Sequence, residues 1–142
     1  MIYTTLTKKA LKIAYEAHKK QLDKTGLPNV FHPYHLAEQM ADEYTTCVAL
    51  LHDVVEDSNY TIQDFIAEGF PTEVSEAIKE LTHSKDIPYF KYINRVKNNA
   101  IATRVKIEDL KHDSDLTRLN EISDEDFKRI EKYKKALFIL EN

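Results

Sequence analysis

A single cysteine among 142 residues leaves no disulfide framework to build on. Cys47 lies in the apolar run Cys47-Val48-Ala49-Leu50-Leu51 and reads as a small buried hydrophobe. Two glycines and four prolines are too few for the tight turns of a many-stranded sheet. No apolar stretch approaches the roughly 18 residues that suggest a membrane span, and residues 1–9 lack the apolar segment of a secretory signal. A reducing, cytoplasmic setting with no membrane partner is therefore expected. Positive charge is also in short supply, since 20 Lys+Arg against 24 Asp+Glu give a net charge of -4. The basic footprint of a nucleic-acid binder is missing, and no nucleic-acid partner is expected.

What is present is 42% hydrophobic residues in a length that suits one domain with one core, taken as residues 1–142. Apolar residues recur at helical intervals, which predicts an all-α fold. Leu6, Ala10, Ile13, Ala14 and Ala17 form the stripe of a first helix with Thr5 or Thr7 as cap. A Gly- and Pro-containing loop over 23–30 follows, and Pro33 is expected at the first position of a helix over 33–43. Further helices are expected at 45–57, from Thr61 with a Thr61-x-x-Asp64 capping box, from Pro71-Thr72, and over 88–97, 99–112 and 123–140. Ser123 caps the last, which is expected to turn Phe127, Ile130, Leu137 and Phe138 inward.

Three places violate this pattern. Six of the eight residues from Val48 to Val55 are apolar, so the helix should cross the interior, yet His52 and Asp53 interrupt it. A carboxylate removed from water costs several kcal/mol unless it is paired or bound to a cation. Glu56 and Asp57 follow four residues after His52 and Asp53 and extend the polar ridge by one turn. Steps of four from Ile101 through Val105 bring Asp109 to the inward stripe of its helix. His32, directly before Pro33, is presented at a loop-to-helix junction. Taken singly, an inward histidine is ordinarily a hydrogen-bonded core residue, and an inward aspartate a cap or an ion-pair partner. Together the two imidazoles and two carboxylates suit an octahedral divalent ion with open positions, such as Mn²⁺ or Fe²⁺, better than a thiolate-rich structural zinc site.

The pattern His32…His52-Asp53…Asp109 resembles that of the HD superfamily of metal-dependent phosphohydrolases. Three blocks narrow the likeness: Lys24-Thr25-Gly26 with Phe31-His32-Pro33, the string Leu50-Leu51-His52-Asp53-Val54-Val55-Glu56-Asp57, and Val105-Lys106-Ile107-Glu108-Asp109-Leu110-Lys111-His112. They are similar to blocks in the hydrolase domain of RelA/SpoT alarmone enzymes and their small stand-alone relatives. The resemblance implies a single compact helical bundle of the HD type. It implies Mn²⁺, with Fe²⁺ or another divalent ion as alternatives, on His32, His52, Asp53 and Asp109. Glu56 and Asp57 become the acid/base pair. The implied reaction releases pyrophosphate from the 3′ position of ppGpp, the nucleotide of the stringent response.

Lys24, Thr25, Arg104, Lys106 and His112 are the candidate substrate contacts, with Lys24 and Lys106 preferred as phosphate clamps, and Lys111 and Arg118 as further cations. His35 could share the face of His32 and contact it from behind. Tyr89 and Tyr92 read as core or rim residues, and His18 and His83 carry no signal. Asp23 and Asp113 depart from the alarmone-hydrolase pattern, which has Arg and Asn there. Two alternatives stay open: a phosphatase acting on another nucleotide or dinucleotide phosphate, and a non-catalytic metal- and nucleotide-binding sensor.

Overall fold

The computed structural model describes residues 1–142 as nine α-helical segments and one 3₁₀ turn, with no strand. They are α1 (Thr5–His18), α2 (Phe31–Glu38), α3 (Glu43–Leu51), α4 (Val54–Asp57), α5 (Ile62–Ala67), α6 (Thr72–Leu81), α7 (Tyr89–Val96), α8 (Ala100–Asp113) and α9 (Asp124–Glu141), with the 3₁₀ turn at Leu116–Arg118. The all-α expectation holds. No helix is long and apolar enough to cross a membrane.

Every residue of α3 from Thr45 to Leu51 is buried, because α1, α2, α6 and α8 all pack around it. A helix apolar on every side becomes the axle of such a bundle. Asp42 caps it by accepting from the Thr45 amide at 2.8 Å. The single helix expected over 45–57 is instead two: α3 ends at Leu51, and the chain turns through His52 and Asp53 before the one turn of α4. That bend carries two adjacent polar side chains to the end of the apolar axle.

Thr4 caps α1, not Thr5 or Thr7; Thr7 is its reciprocal partner in a capping box. Pro33 is the third residue of α2, not the first, since the helix begins at Phe31 and ends at Glu38. The capping boxes at Thr61–Asp64 and Ser123–Asp126 both form. Gly69, at φ 91°, closes α5 where a left-handed residue is required: the Phe70 amide reaches the Phe65 carbonyl at 3.1 Å and the Gly69 amide the Ile66 carbonyl at 3.0 Å. In α9, Phe127 and Phe138 point to water, 52% and 70% exposed, against the inward expectation. The buried face of α9 is set by Ile130, Ala136 and Leu140 with Tyr133 and Leu137 beside them. At about 100° per residue both phenylalanines fall well around the helix from that face.

Phe65 is fully buried between Tyr60 and Phe70, with ring centroids 5.4 and 6.0 Å away. Phe65→Ala is expected to cost about 3–5 kcal/mol in a urea unfolding experiment.

Candidate metal centre

Three segments far apart in sequence meet at the end of α3. His32 enters from the first turn of α2, His52 and Asp53 from the bend after α3, and Asp109 from the inner face of α8. The donor atoms of His32, His52 and Asp109 all lie within 4.8 Å of one another. Asp109 Oδ1 is 2.9 Å from His32 Nε2 and 3.7 Å from His52 Nε2. Asp53 Oδ2 lies 3.1 Å from His52 Nε2 and 4.0 Å from His32 Nε2. The expected inward orientation of Asp109 is observed; its side chain is 7% exposed.

The protons of His52 can be placed. Its Nδ1 donates to the Ala49 carbonyl at 2.7 Å, so in the neutral ring, the form that binds a cation, the lone pair is on Nε2. That Nε2 is buried and has no hydrogen-bond partner. A bare imidazole nitrogen, unpaired yet facing two carboxylates, fits a divalent cation, and the N/O donor set is of the kind such ions take. Without the cation, burial works to lower the His52 pKa, but Asp53 and Asp109 raise it well above the ordinary value. For His32 too, burial is outweighed by the upward pull of Asp109. Burial would raise Asp109, yet Lys106 and the two imidazoles hold it well below the carboxylate range. Positive charge is thus demanded at this spot.

Lys106 does not reach the cleft. One turn before Asp109 on α8, its ammonium donates to Asp109 Oδ2 at 2.7 Å with its side chain only 16% exposed. It also lies 5.5 Å from the ring centre of the buried Tyr92. Expected as a phosphate clamp, Lys106 is instead aimed beneath the carboxylate by its i,i+3 spacing to Asp109. Arg104 is held by Glu108 at 2.9 Å and the Gln39 carbonyl at 3.0 Å, and does not line the cleft. His112 stands behind His32, with the two Nδ1 atoms 2.7 Å apart.

Glu56 and Asp57 occupy α4, the turn that follows Asp53. Glu56 Oε1 accepts the His83 amide at 2.7 Å. Burial raises its pKa, and burial together with Asp53 raises that of Asp57. His83 stacks on Tyr92 with centroids 4.4 Å apart, so a residue that carried no signal in the sequence braces the Glu56 loop. His18 is buried at the end of α1, its Nδ1 2.7 Å from Gln21 Oε1. Gln21 Nε2 in turn donates to the Asp57 carbonyl at 2.8 Å.

Beside the cluster opens a cleft of about 320 Å³, whose walls include His32 and Asp53. Lys24 and Thr25 line it as expected, from a loop folded around Asp23. The Asp23 carboxylate accepts from the Thr25 amide, the Thr25 hydroxyl and the Leu27 amide, at 2.8, 2.6 and 3.1 Å. An arginine at position 23 could not do this, which gives the departure a local cause. Arg118, Arg129 and Tyr133 complete the polar wall. Arg129 and Tyr133 escaped the sequence reading because one charged residue and one tyrosine on an amphipathic helix look like any solvated face. Arg129 and Lys24 share the Asp126 carboxylate. Arg118 lies 3.6 Å from Asp113, whose pKa burial and Asp109 push up to about 6.

A helical bundle with a buried His/Asp cluster beside a polar cleft defines a class of protein suited to hold a divalent cation. The chain belongs to the HD-domain family, whose model matches residues 10–137. It is 35% identical over 85 residues to a guanosine-3′,5′-bis(diphosphate) 3′-pyrophosphohydrolase of Aquifex aeolicus, covering 57% of this chain and 12% of that protein. It is likewise 35% identical over 82 residues to a probable GTP pyrophosphokinase of Mycobacterium leprae, covering 55% of this chain and 10% of that protein. The chain thus spans about a tenth of the length of these relatives. A solved structure described as a metazoan ortholog of SpoT that hydrolyzes ppGpp superposes with a TM-score of 0.76 over 99% of this chain and 88% of that one. At 23% identity this likeness bears on the fold.

Proposed function

We propose that the chain is a metal-dependent phosphohydrolase acting on a nucleotide, with ppGpp as the favoured substrate and release of pyrophosphate from its 3′ position as the reaction. The observation that carries this reading is the buried, unpartnered Nε2 of His52 facing Asp53 and Asp109 at the mouth of a polar cleft. The names of the Aquifex relative and the solved neighbour support the substrate choice. His32, His52, Asp53 and Asp109 would hold the cation, with Mn²⁺ the favoured ion. A divalent cation supplies polarisation of a phosphoryl oxygen and a lowered pKa for water.

The chain's own groups do the rest. Glu56 and Asp57, whose pKa values burial raises, form the acid/base pair: one takes a proton from the attacking water, and the other returns one to the 3′ oxygen as pyrophosphate leaves. Lys24, Arg118 and Arg129 hold the remaining phosphates, exchanging their present carboxylate partners for phosphate oxygens. Thr25 shapes the Lys24 loop. Tyr133 offers a ring edge on the cleft wall to the nucleoside.

A second reading, a phosphatase on another nucleotide or dinucleotide phosphate, is favoured by Asp113, which adds a carboxyl to a cleft meant for a polyanion. Incubation of the purified protein with Mn²⁺ and a panel of nucleotides separates the two. Pyrophosphate release from ppGpp alone supports the first reading. Inorganic phosphate from another nucleotide supports the second. One cation per chain with no turnover of any nucleotide would make it a sensor.

A further inference from the structure

We infer that His112 is a positioning residue: its Nδ1 accepts the Nδ1–H of His32 and so leaves the lone pair of His32 Nε2 for a cation held with Asp109 and Asp53. The inference rests on the cation reading given above and deepens it. The sequence placed His112 among the substrate contacts; the structure sets it behind His32 and off the cleft wall.

The two Nδ1 atoms are 2.7 Å apart. At that distance one ring must donate and the other accept, because two N–H groups or two lone pairs cannot face each other. His32 Nε2 is 2.9 Å from Asp109 Oδ1, within the donor cluster. An imidazole that offers Nε2 to a cation carries its proton on Nδ1. The donor is then His32, the acceptor is His112, and the remaining proton of His112 sits on its own Nε2.

The orientation of the acceptor is itself fixed from two sides. His35, exposed on α2, stacks on the His112 ring with centroids 4.2 Å apart and planes 24° apart. Arg118 donates to the His112 backbone carbonyl at 2.8 Å and pins the end of α8. The two inner imidazoles are therefore anchored alike, each through Nδ1–H. His52 uses the Ala49 carbonyl, which no side-chain substitution removes, whereas His32 uses a side chain. Outer partners of this kind usually govern cation affinity by ten- to a hundredfold.

The test compares the full chain with His112→Phe, His112→Asn and His52→Ala. Mn²⁺ affinity is read from the free-ion paramagnetic resonance signal, and imidazole tautomers from long-range ¹⁵N correlation spectra with diamagnetic Zn²⁺. His112→Phe keeps a flat ring but no acceptor, and is expected to bind Mn²⁺ about ten- to a hundredfold more weakly. His112→Asn places a carbonyl oxygen near the lost Nδ1 and is expected to stay within about threefold of the wild type. With Zn²⁺, the unsubstituted protein should show His112 protonated at Nε2 and His32 at Nδ1, a measurement that needs no variant to fold. Wild-type affinity in His112→Phe, equal loss in both His112 variants, or a His112 proton on Nδ1 overturns the inference. If His52→Ala binds Mn²⁺ as tightly as the wild type, the cation reading itself fails. Loss in His52→Ala with none in His112→Phe removes only the role of His112.

Discussion

His52→Ala is expected to lose both the cation and turnover: metal analysis should find the purified variant essentially free of Mn²⁺, and nucleotide hydrolysis should fall about a thousandfold or more, at roughly 1.4 kcal/mol per tenfold. The size of the effect follows from where the ring lies. His52 is 4% exposed, its Nδ1 is fixed on the Ala49 carbonyl, and its Nε2 is the one cluster nitrogen with no partner of its own. Alanine leaves Asp53 and Asp109 facing each other with one imidazole fewer between them, in a buried place where carboxylates need positive charge. The reverse side of the same chemistry is a pH dependence. Without the ion, burial lowers the His52 pKa but the two carboxylates carry it well above 6.5. Protons therefore compete with the cation for His52 even above the ordinary histidine range, and cation affinity should weaken steadily as pH falls. Titration of Mn²⁺ at several pH values checks the sign; affinity that rises on acidification would contradict it.

Glu56→Gln is expected to separate binding from chemistry. The side chain lies outside the donor cluster, and a glutamine can still accept the His83 amide that Glu56 Oε1 accepts at 2.7 Å. The variant should hold the same amount of metal per chain as the wild type while turnover drops by about 10²–10⁴, the usual contribution of a positioned proton-transfer group. Burial raises the Glu56 pKa, so if it acts as base the rate should fall as pH drops through a value above the normal carboxylate range. An unchanged rate in Glu56→Gln would remove the proton role and shift attention to Asp57. A rate lost together with the metal would make Glu56 part of the cation's support.

Much of the fold could be read from local chemistry alone. The capping box at Thr61, the Ser123 cap and the helix from Pro71-Thr72, which buries Val74, Ala77, Ile78 and Leu81, each involve residues within a few turns, and each element appears in the structure as expected. The long apolar run around Leu50 announced a helix with no solvent face, and α3 is that helix. The misreadings have a common origin. Phe127 and Phe138 are apolar, but the side of α9 that is covered depends on what α7 and α8 offer it, and hydrophobicity alone does not say. The helix expected to run unbroken to Asp57 bends at His52 and Asp53.

By itself the sequence determined which residues break the apolar pattern, His32, His52, Asp53 and Asp109, because placing such groups on inward faces is costly without compensation and the violation is visible one helix at a time. Only the tertiary structure decided what each charge faces. Lys106 looks outward along the chain but is folded under Asp109; Arg129 is an unremarkable helix residue until α9 brings it to the loop of Lys24; His112 is a cleft residue by spacing and the partner of His32 by packing. The physical reason is that burial cost is a property of a residue and its own helix, whereas the partner that relieves it is supplied by another helix dozens of residues away.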